Sequence, residues 1–253
     1  MNHKRLWCAA CAMVLAGFGA GPAEASLMVK VGATTISDNG GGDLDLTPDQ
    51  ITAVTTVAGF GVAITIATSN SPGSGPGGVV QITSLDIRNL SPATSTLTIL
   101  AGDTDFAIPG SAGSTIKLDS SVGGTFTLGQ IGDSASFQSF ADPLNVGLPT
   151  LGSVSTALLS FTRTTNPILQ PLESFNGSNF TTFVRGAGDY SLSNRIITTL
   201  SAGGQLNISG TTATTSLVPE PASLALLGLG GLCLLGDRRR RRTRSSSLLK
   251  PES

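Results

Sequence analysis

The chain has 253 residues, of which 40% are hydrophobic and only 12% are charged, and its formal net charge is −1. Charged residues make up about a quarter of an average globular protein. Glycine, serine and threonine take their place here, and these residues suit strands and turns better than helices. Residues 26–217 contain twelve acidic and six basic residues, a formal charge of −6, which excludes the basic footprint that nucleic acid requires.

The N-terminus has the three parts of a cleavable export signal. A positive start at Lys4 and Arg5 precedes an apolar run over residues 6–18, and a small-x-small pattern follows. This run would rise only about 20 Å as a helix, too little for the roughly 30 Å hydrocarbon core of a bilayer. We therefore predict a signal peptide over residues 1–25. The predicted signal-peptidase site consists of Ala23, Ala25 and Ser26.

The densest group of acidic residues follows between positions 38 and 49. Ca²⁺ takes about six to eight oxygen ligands, and Asp38, Asp43 and Asp45, separated by glycines, are candidate ligands. Their spacing matches neither the EF-hand loop nor the calcium-binding nonapeptide repeat. The alternative is a turn, in which Asn-Gly and Gly-Gly supply positive φ and the carboxylates accept hydrogen bonds from nearby backbone. Calcium is the one cofactor that the sequence suggests, and both interpretations stay open.

Short segments with alternating apolar and polar residues dominate the rest of residues 26–210. In the segment 62–66, for example, the large apolar residues fall on one face, which is typical of a half-buried antiparallel strand. Strands are predicted near residues 27–36, 50–58, 62–66, 79–88, 96–99, 124–128, 134–140, 155–163, 179–185, 189–200 and 205–208. This spacing predicts an all-β ectodomain over residues 26–210, an antiparallel β-sandwich or jelly-roll. Residues 70–78 are expected to form a long loop, and residues 211–217 a polar spacer.

Catalytic groups are scarce in this ectodomain. The only histidine is His3, and every cysteine lies in one of the two terminal segments, so a serine nucleophile would have no imidazole base. Asp103 and Asp105 are two apart and could form the carboxylate pair of a glycosidase, but a solvated turn is the alternative. We predict a non-enzymatic protein without catalytic residues. Three phenylalanines are expected in the core, namely Phe175, Phe180 and Phe183.

The C-terminus has three parts in a fixed order: a Pro-Glu-Pro motif, an uncharged apolar stretch over residues 222–236, and an arginine cluster. An apolar stretch partitions into a bilayer and an arginine cluster does not cross it. We therefore predict a short transmembrane helix with the extreme C-terminus in the cytoplasm and the ectodomain outside. A permanent single-pass anchor is the alternative to a processing signal. The predicted stop-transfer residues are Arg238, Arg239, Arg240, Arg241 and Arg242.

These three parts, over residues 218–242, resemble the PEP-CTERM sorting tail. The resemblance implies that Pro219, Glu220 and Pro221 form the motif recognised by exosortase, a membrane-embedded transpeptidase-like enzyme, and that the tail is removed at or near it. Residues 243–253 run beyond the arginine cluster, unlike most such tails, and are predicted to form a cytoplasmic extension.

The predicted function follows from the export signal and the sorting tail. We expect an exported, non-catalytic protein of the cell envelope or extracellular matrix, in an exopolysaccharide or biofilm setting, with a structural or adhesive role. The alternative is a carbohydrate-binding β-sandwich, with or without help from Ca²⁺. The expected partners are signal peptidase and exosortase as processing enzymes, exopolysaccharide, and the inner membrane before C-terminal processing.

Overall fold

In the described part of the chain thirteen strands form, most of them where the sequence alternates between apolar and polar side chains. A computed structural model describes residues 27–74, 77–148 and 151–217 of the chain. The strands are β1 (Met28–Val31), β2 (Thr34–Ser37), β3 (Gln50–Val57), β4 (Phe60–Ser69), β5 (Val79–Asn89), β6 (Ser95–Phe106), β7 (Thr115–Leu128), β8 (Ser134–Asp142), β9 (Val154–Ser155), β10 (Leu159–Thr162), β11 (Glu173–Val184), β12 (Tyr190–Leu200) and β13 (Gln205–Ser216). The predicted all-β class is confirmed.

The strands form two antiparallel sheets. Sheet A has the order β10-β8-β12-β6-β1-β2, with β9 also paired to β8, and sheet B has the order β11-β7-β13-β5-β4-β3. Chain neighbours such as β5 and β6, or β7 and β8, lie in different sheets, so the chain crosses between the two layers repeatedly. The fold is therefore a β-sandwich of jelly-roll type, as predicted.

The core lies between the inward faces of the two sheets. Its largest members include Phe60, Phe106, Phe126 and Phe137, each at most 1% exposed. Burial of a side chain of this size stabilises the fold by about 2 to 3 kcal/mol. Gly210 in β13 belongs to this layer, because a Cβ atom there would lie 2.3 Å from the Phe137 ring. The ring thus packs directly on the backbone of sheet B.

The strand directions define two ends of the sandwich. The connections after β2, β4, β6, β8 and β11 lie at one end, where β1 also begins and β13 also finishes. We call this the tail end, because the C-terminal segment leaves from it. The connections after β1, β3, β5, β7, β10 and β12 lie at the opposite, far end.

Residues 211–216, predicted to be a polar spacer, instead form the second half of β13. Thr212 and Thr214 are at most 1% exposed. The Thr212 hydroxyl lies 2.7 Å from the Ser139 hydroxyl, and the Thr214 hydroxyl lies 2.8 Å from the Tyr190 hydroxyl. The spacer prediction was wrong because threonine counts as polar in a sequence, whereas a hydrogen-bonded threonine fits a strand interior.

The predicted signal peptide with Ala23, Ala25 and Ser26, the Pro-Glu-Pro motif, the C-terminal helix and the arginine cluster lie outside the described residues. Within residues 27–74, 77–148 and 151–217, no helix is long and apolar enough to cross a membrane.

Candidate functional site

The outer faces of the two sheets differ in how much loop covers them. On sheet A the connection after β8 folds back over the tail-end half, where Leu148 is only 8% exposed and Val146 accepts a hydrogen bond from the Ser191 hydroxyl at 2.7 Å. Asp105 on β6 holds this connection in place. Asp105 and Asn145 exchange two hydrogen bonds, of 2.7 and 2.8 Å.

Asp103 lies two residues earlier on β6, on the side of the strand that carries the core residues Ile99 and Ala101, and is 1% exposed. Its Oδ1 accepts a hydrogen bond of 2.7 Å from the Thr104 backbone N–H. The prediction of a solvated turn at Asp103 and Asp105 was therefore wrong, because β6 continues through both residues to Phe106. Asp105 takes a positive φ of 66° there, which lets its side chain reach the loop.

Sheet B presents an outer face made mostly of hydroxyl and amide side chains. Cross-strand rows on it are polar, and one row joins Ser178, Ser121, Thr211 and Gln81 on β11, β7, β13 and β5. Nearer the far end, Thr125 and Ser174 lie 2.9 Å apart through their hydroxyls. Such a face offers many donors and acceptors in a nearly planar array.

One exposed aromatic ring stands on this face. Phe180 is 64% exposed, and it is the only aromatic residue among residues 27–74, 77–148 and 151–217 that is mostly in solvent. The register places it directly opposite Asp119, with Lys117 diagonal to it on β7. The Lys117 ammonium lies 4.7 Å from the ring centroid and 2.6 Å from the Asp119 carboxylate.

Around this ring lies an open cleft of about 580 Å³, which we call the Phe180 cleft. Its lining residues are Lys117, Asp119, Ser120, Ser121, Ser178, Asn179 and Phe180. Ser120 Oγ and Asn179 Oδ1 are buried and have no hydrogen-bond partner in the described part of the chain. Both residues face the interior of the sandwich, because they alternate along β7 and β11 with the outward residues Ser121 and Phe180, so these two atoms do not point into the cleft.

A second, smaller hollow of about 240 Å³ lies on the same face nearer the far end. It combines exposed apolar surface from Val54 and Leu90 with the polar side chains of Asp86, Arg88 and Gln205. Asp86 accepts a hydrogen bond of 2.8 Å from Asn207 Nδ2. Sheet B therefore carries two hollows on one continuous polar face.

The predicted calcium residues lie beside β3, at the opposite edge of sheet B from β11. Asp43 accepts hydrogen bonds of 3.0 Å from the backbone N–H groups of Asn39, Asp45 and Thr52. Asp38 accepts one of 2.9 Å from the Asp49 backbone N–H. In the described residues no group of three or more acidic, histidine or cysteine side chains is arranged to hold a metal. Calcium binding by Asp38, Asp43 and Asp45 stays a prediction.

The electrostatics of this acidic stretch follow from its hydrogen bonds and its burial. Hydrogen bonds from the Thr47 hydroxyl and backbone N–H, and then from Gln50, lower the pKa of Asp45. Burial, assisted by the nearby charge of Asp38, raises the pKa of Asp49. Asp45 is thus held by the turn itself, whereas Asp38 Oδ1 is buried and accepts no hydrogen bond from the described residues.

Comparison with protein families decides the identity of the C-terminal segment. The family described as the PEP-CTERM protein-sorting motif matches residues 217–242. The chain carries a PEP-CTERM sorting motif. The motif implies an exported protein with a membrane-anchored C-terminal sorting signal that exosortase processes. No curated protein matches the sequence.

Solved structures resemble the ectodomain of this PEP-CTERM protein only distantly. The carbohydrate-binding module TmCBM61, in complex with β-1,4-galactotriose, is 8% identical, and the match covers 62% of this chain and 88% of that one, with a TM-score of 0.31. TmCBM27, a carbohydrate-binding module that recognises mannan, is 13% identical with coverage of 59% and 83% and a TM-score of 0.28. Tailspike protein 4 of bacteriophage CBA120 is 9% identical, with coverage of 64% and 20% and a TM-score of 0.26. No ligand is inferred from these similarities.

Sequence reasoning assigned Phe180 to the core of the PEP-CTERM protein, and this was wrong. Phe183 is 5% exposed, and Phe175 packs against the core. Both have odd numbers, whereas Phe180 has an even one, so on a continuous strand it must face the other way. The alternation of odd and even positions was therefore present in the sequence. It predicts the orientation of Phe180 only once residues 173–184 are known to form one unbroken strand.

Proposed function

We propose that this PEP-CTERM protein is a non-catalytic adhesive component of the cell envelope or extracellular matrix, and that its ectodomain binds neutral polysaccharide through the Phe180 cleft. The exposed ring beside a carboxylate and an ammonium is the single observation that supports this function best. Exposed aromatic faces provide apolar contact area for a sugar ring, and the surrounding polar groups set its orientation.

Three properties of the cleft favour a polysaccharide over a small ligand. It is open, it lies on a flat face, and its polar row continues across four strands to Gln81. A chain of sugar units could therefore extend along the face beyond the ring. The charge of −6 between residues 26 and 217 disfavours polyanionic glycans.

The strand directions favour an adhesive role. The sorting tail follows β13 at the tail end of the sandwich. While the tail is inserted in the membrane, the strands of sheet B and their outer face therefore extend away from the membrane surface. Neutral polysaccharide outside the membrane would thus have lateral access to the cleft. The proposed location is the cell envelope or the matrix outside the inner membrane.

The test is co-sedimentation of the full chain with exopolysaccharide purified from the producing cells, for wild type, Phe180→Ala and Val184→Ala. Val184 is a matched control because it is also on the outer face of β11 and is 61% exposed. We expect Phe180→Ala to weaken binding roughly tenfold, about 1.4 kcal/mol, as for a central aromatic anchor, and Val184→Ala to bind like wild type.

Equal binding by wild type and Phe180→Ala would place the site elsewhere. If wild type does not sediment with the polysaccharide, the adhesive function proposed here is wrong.

A further inference from the structure

Among the described residues the two sheets have four edges, of which one is shared by β9 and β10, and the β11 edge differs from the other three. It pairs with β7 along its full length from Glu173 to Val184, without a register shift. In the described residues no strand pairs with its other side. Along these twelve residues, the backbone N–H and C=O groups of alternate residues point to the open side and lack a partner strand.

Each of the other edges is short or covered. Strands β2 and β10 have four residues each, and β9 has two. At β3 the preceding loop lies along the edge, where Leu44 N–H donates to Thr52 O at 2.7 Å and Thr52 N–H donates to Asp43 at 3.0 Å. A register shift follows between Ile51 and Ala53. These are the usual means by which proteins prevent edge pairing.

The sequence of β11 contains none of these protective features. It has no proline, no lysine and no arginine, and its one charged residue is Glu173 at its first position. That carboxylate already accepts hydrogen bonds from Thr164 and Thr165. The outward residues from Asn176 to Val184 are neutral, although the body as a whole is acidic.

We propose that β11 is a self-association edge, at which β11 of a second copy of this chain pairs antiparallel about a twofold axis perpendicular to the sheet. The two six-stranded B sheets then join into one continuous sheet. The same strand on both sides makes the contact isologous, so it closes as a dimer.

A second copy fits this edge better than an unrelated strand for two reasons. Both ladders have the same length, so every backbone group within the overlap finds a partner. Residues near the middle of β11, such as Ser178, carry no charge, so the symmetric pairing brings no like charges together. The polar outer faces also stay on the same side, which would place two Phe180 clefts on one surface.

Cysteine cross-linking in cells tests the pairing. In the full chain with Cys8→Ala, Cys11→Ala and Cys233→Ala, single cysteines are introduced as Asn176→Cys, Ser178→Cys or Thr182→Cys, all on the exposed face of β11. Directly opposite residues of an antiparallel pair have Cβ atoms about 5 Å apart, within reach of a disulfide. Ser121→Cys is the matched control, because it is an exposed serine one strand further from the edge.

We expect at least one β11 cysteine to give roughly tenfold more disulfide-linked dimer than Ser121→Cys after mild oxidation, since two β7 residues would be several strand spacings apart. Ser178→Lys, added to the best cross-linking variant, should reduce the dimer severalfold by placing two ammonium groups near the axis, whereas Ser121→Lys should not.

The self-association proposal is overturned if none of the three positions cross-links above the Ser121→Cys level. It is also overturned if the cross-linked species contains another protein in place of a second copy. Both outcomes concern only the pairing of two copies, and polysaccharide binding is measured separately on Phe180→Ala and Val184→Ala, which leave the β11 backbone ladder unchanged.

Discussion

Strands β3 and β11 are the two edges of the same sheet, and they meet solvent in different ways. At β3, residues from the preceding acidic loop donate to and accept from Thr52, so the beginning of the edge is already hydrogen-bonded. At β11, twelve residues in regular register have β7 on one side and no strand on the other, within the described residues. The edge beside the acidic loop is partly covered, and the edge with almost no charge is open.

This difference shows that the amino-acid composition of a region does not tell which of its polar groups are free to bind a ligand. The residues between 38 and 49 have the composition of a cation site, yet most of their carboxylate oxygens accept hydrogen bonds from the loop that they belong to. The β11 region has an unremarkable composition of serine, threonine, asparagine and phenylalanine. There the exposed ring, the cleft and the open ladder all remain available to a ligand or a partner. Binding capacity depends on which polar groups are still unsatisfied.

The largest effect should come from removing the acceptor that closes the β3 edge. Asp43→Ala deletes the partner of three backbone N–H groups, including the Thr52 N–H on β3. We expect the free energy of unfolding to fall by about 1 to 3 kcal/mol, as measured by urea denaturation. Asp43→Asn is the control, because its amide oxygen can still accept, and it should lose less. Equal stability of Asp43→Ala and wild type would mean that the loop does not hold this edge.

A smaller, pH-dependent effect is expected where β11 begins. Hydrogen bonds to Glu173, the strongest from the Thr165 hydroxyl at 2.5 Å, lower its pKa to about 2 from a usual value near 4.5. A carboxyl whose pKa is depressed by folding stabilises the protein above its unfolded pKa, and this contribution is lost as pH falls toward the folded pKa.

Glu173→Gln should therefore lower the free energy of unfolding at pH 7 by on the order of 1 kcal/mol, because the carboxylate is partly exposed and solvent screens it. The difference from wild type should shrink below pH 4.5 and disappear near pH 2. Urea denaturation at a series of pH values measures this. A difference that is independent of pH would show that the charge of Glu173 is irrelevant to the loop before β11.

The smallest effect concerns the acidic loop and metal removal. Most carboxylate oxygens of the acidic loop already accept backbone hydrogen bonds, so treatment of the full chain with EDTA should change the melting temperature of the ectodomain by less than about 1 °C. This is smaller than the shift that the loss of about 1 kcal/mol of metal-binding energy would cause. Thermal unfolding followed by circular dichroism, with and without added CaCl₂, provides the measurement. A calcium-dependent shift of several degrees that Asp43→Asn abolishes would instead establish the predicted site at Asp38, Asp43 and Asp45.

The strands were largely predictable from the sequence, and the candidate site was not. Period-two alternation located nearly every strand, because one buried face and one wet face leave that pattern in any antiparallel sandwich. The extension of β13 through Thr212 and Thr214 was missed, since their burial depends on hydroxyl partners supplied by other strands. Asp103 was likewise placed in solvent, because a short aspartate-containing segment resembles a turn in the sequence, whereas β6 continues through it and buries it.

The sequence by itself determined the C-terminal sorting motif and the class of fold. A Pro-Glu-Pro motif, an apolar stretch and an arginine cluster act through local order along the chain, and the PEP-CTERM match over residues 217–242 needs no tertiary contact. The tertiary structure alone decided that Phe180 faces solvent beside Lys117 and Asp119, and that β11 lies at an edge while β13 lies at the centre. Sheet order is set by contacts between residues distant in sequence, and no local pattern records which strand is left without a neighbour.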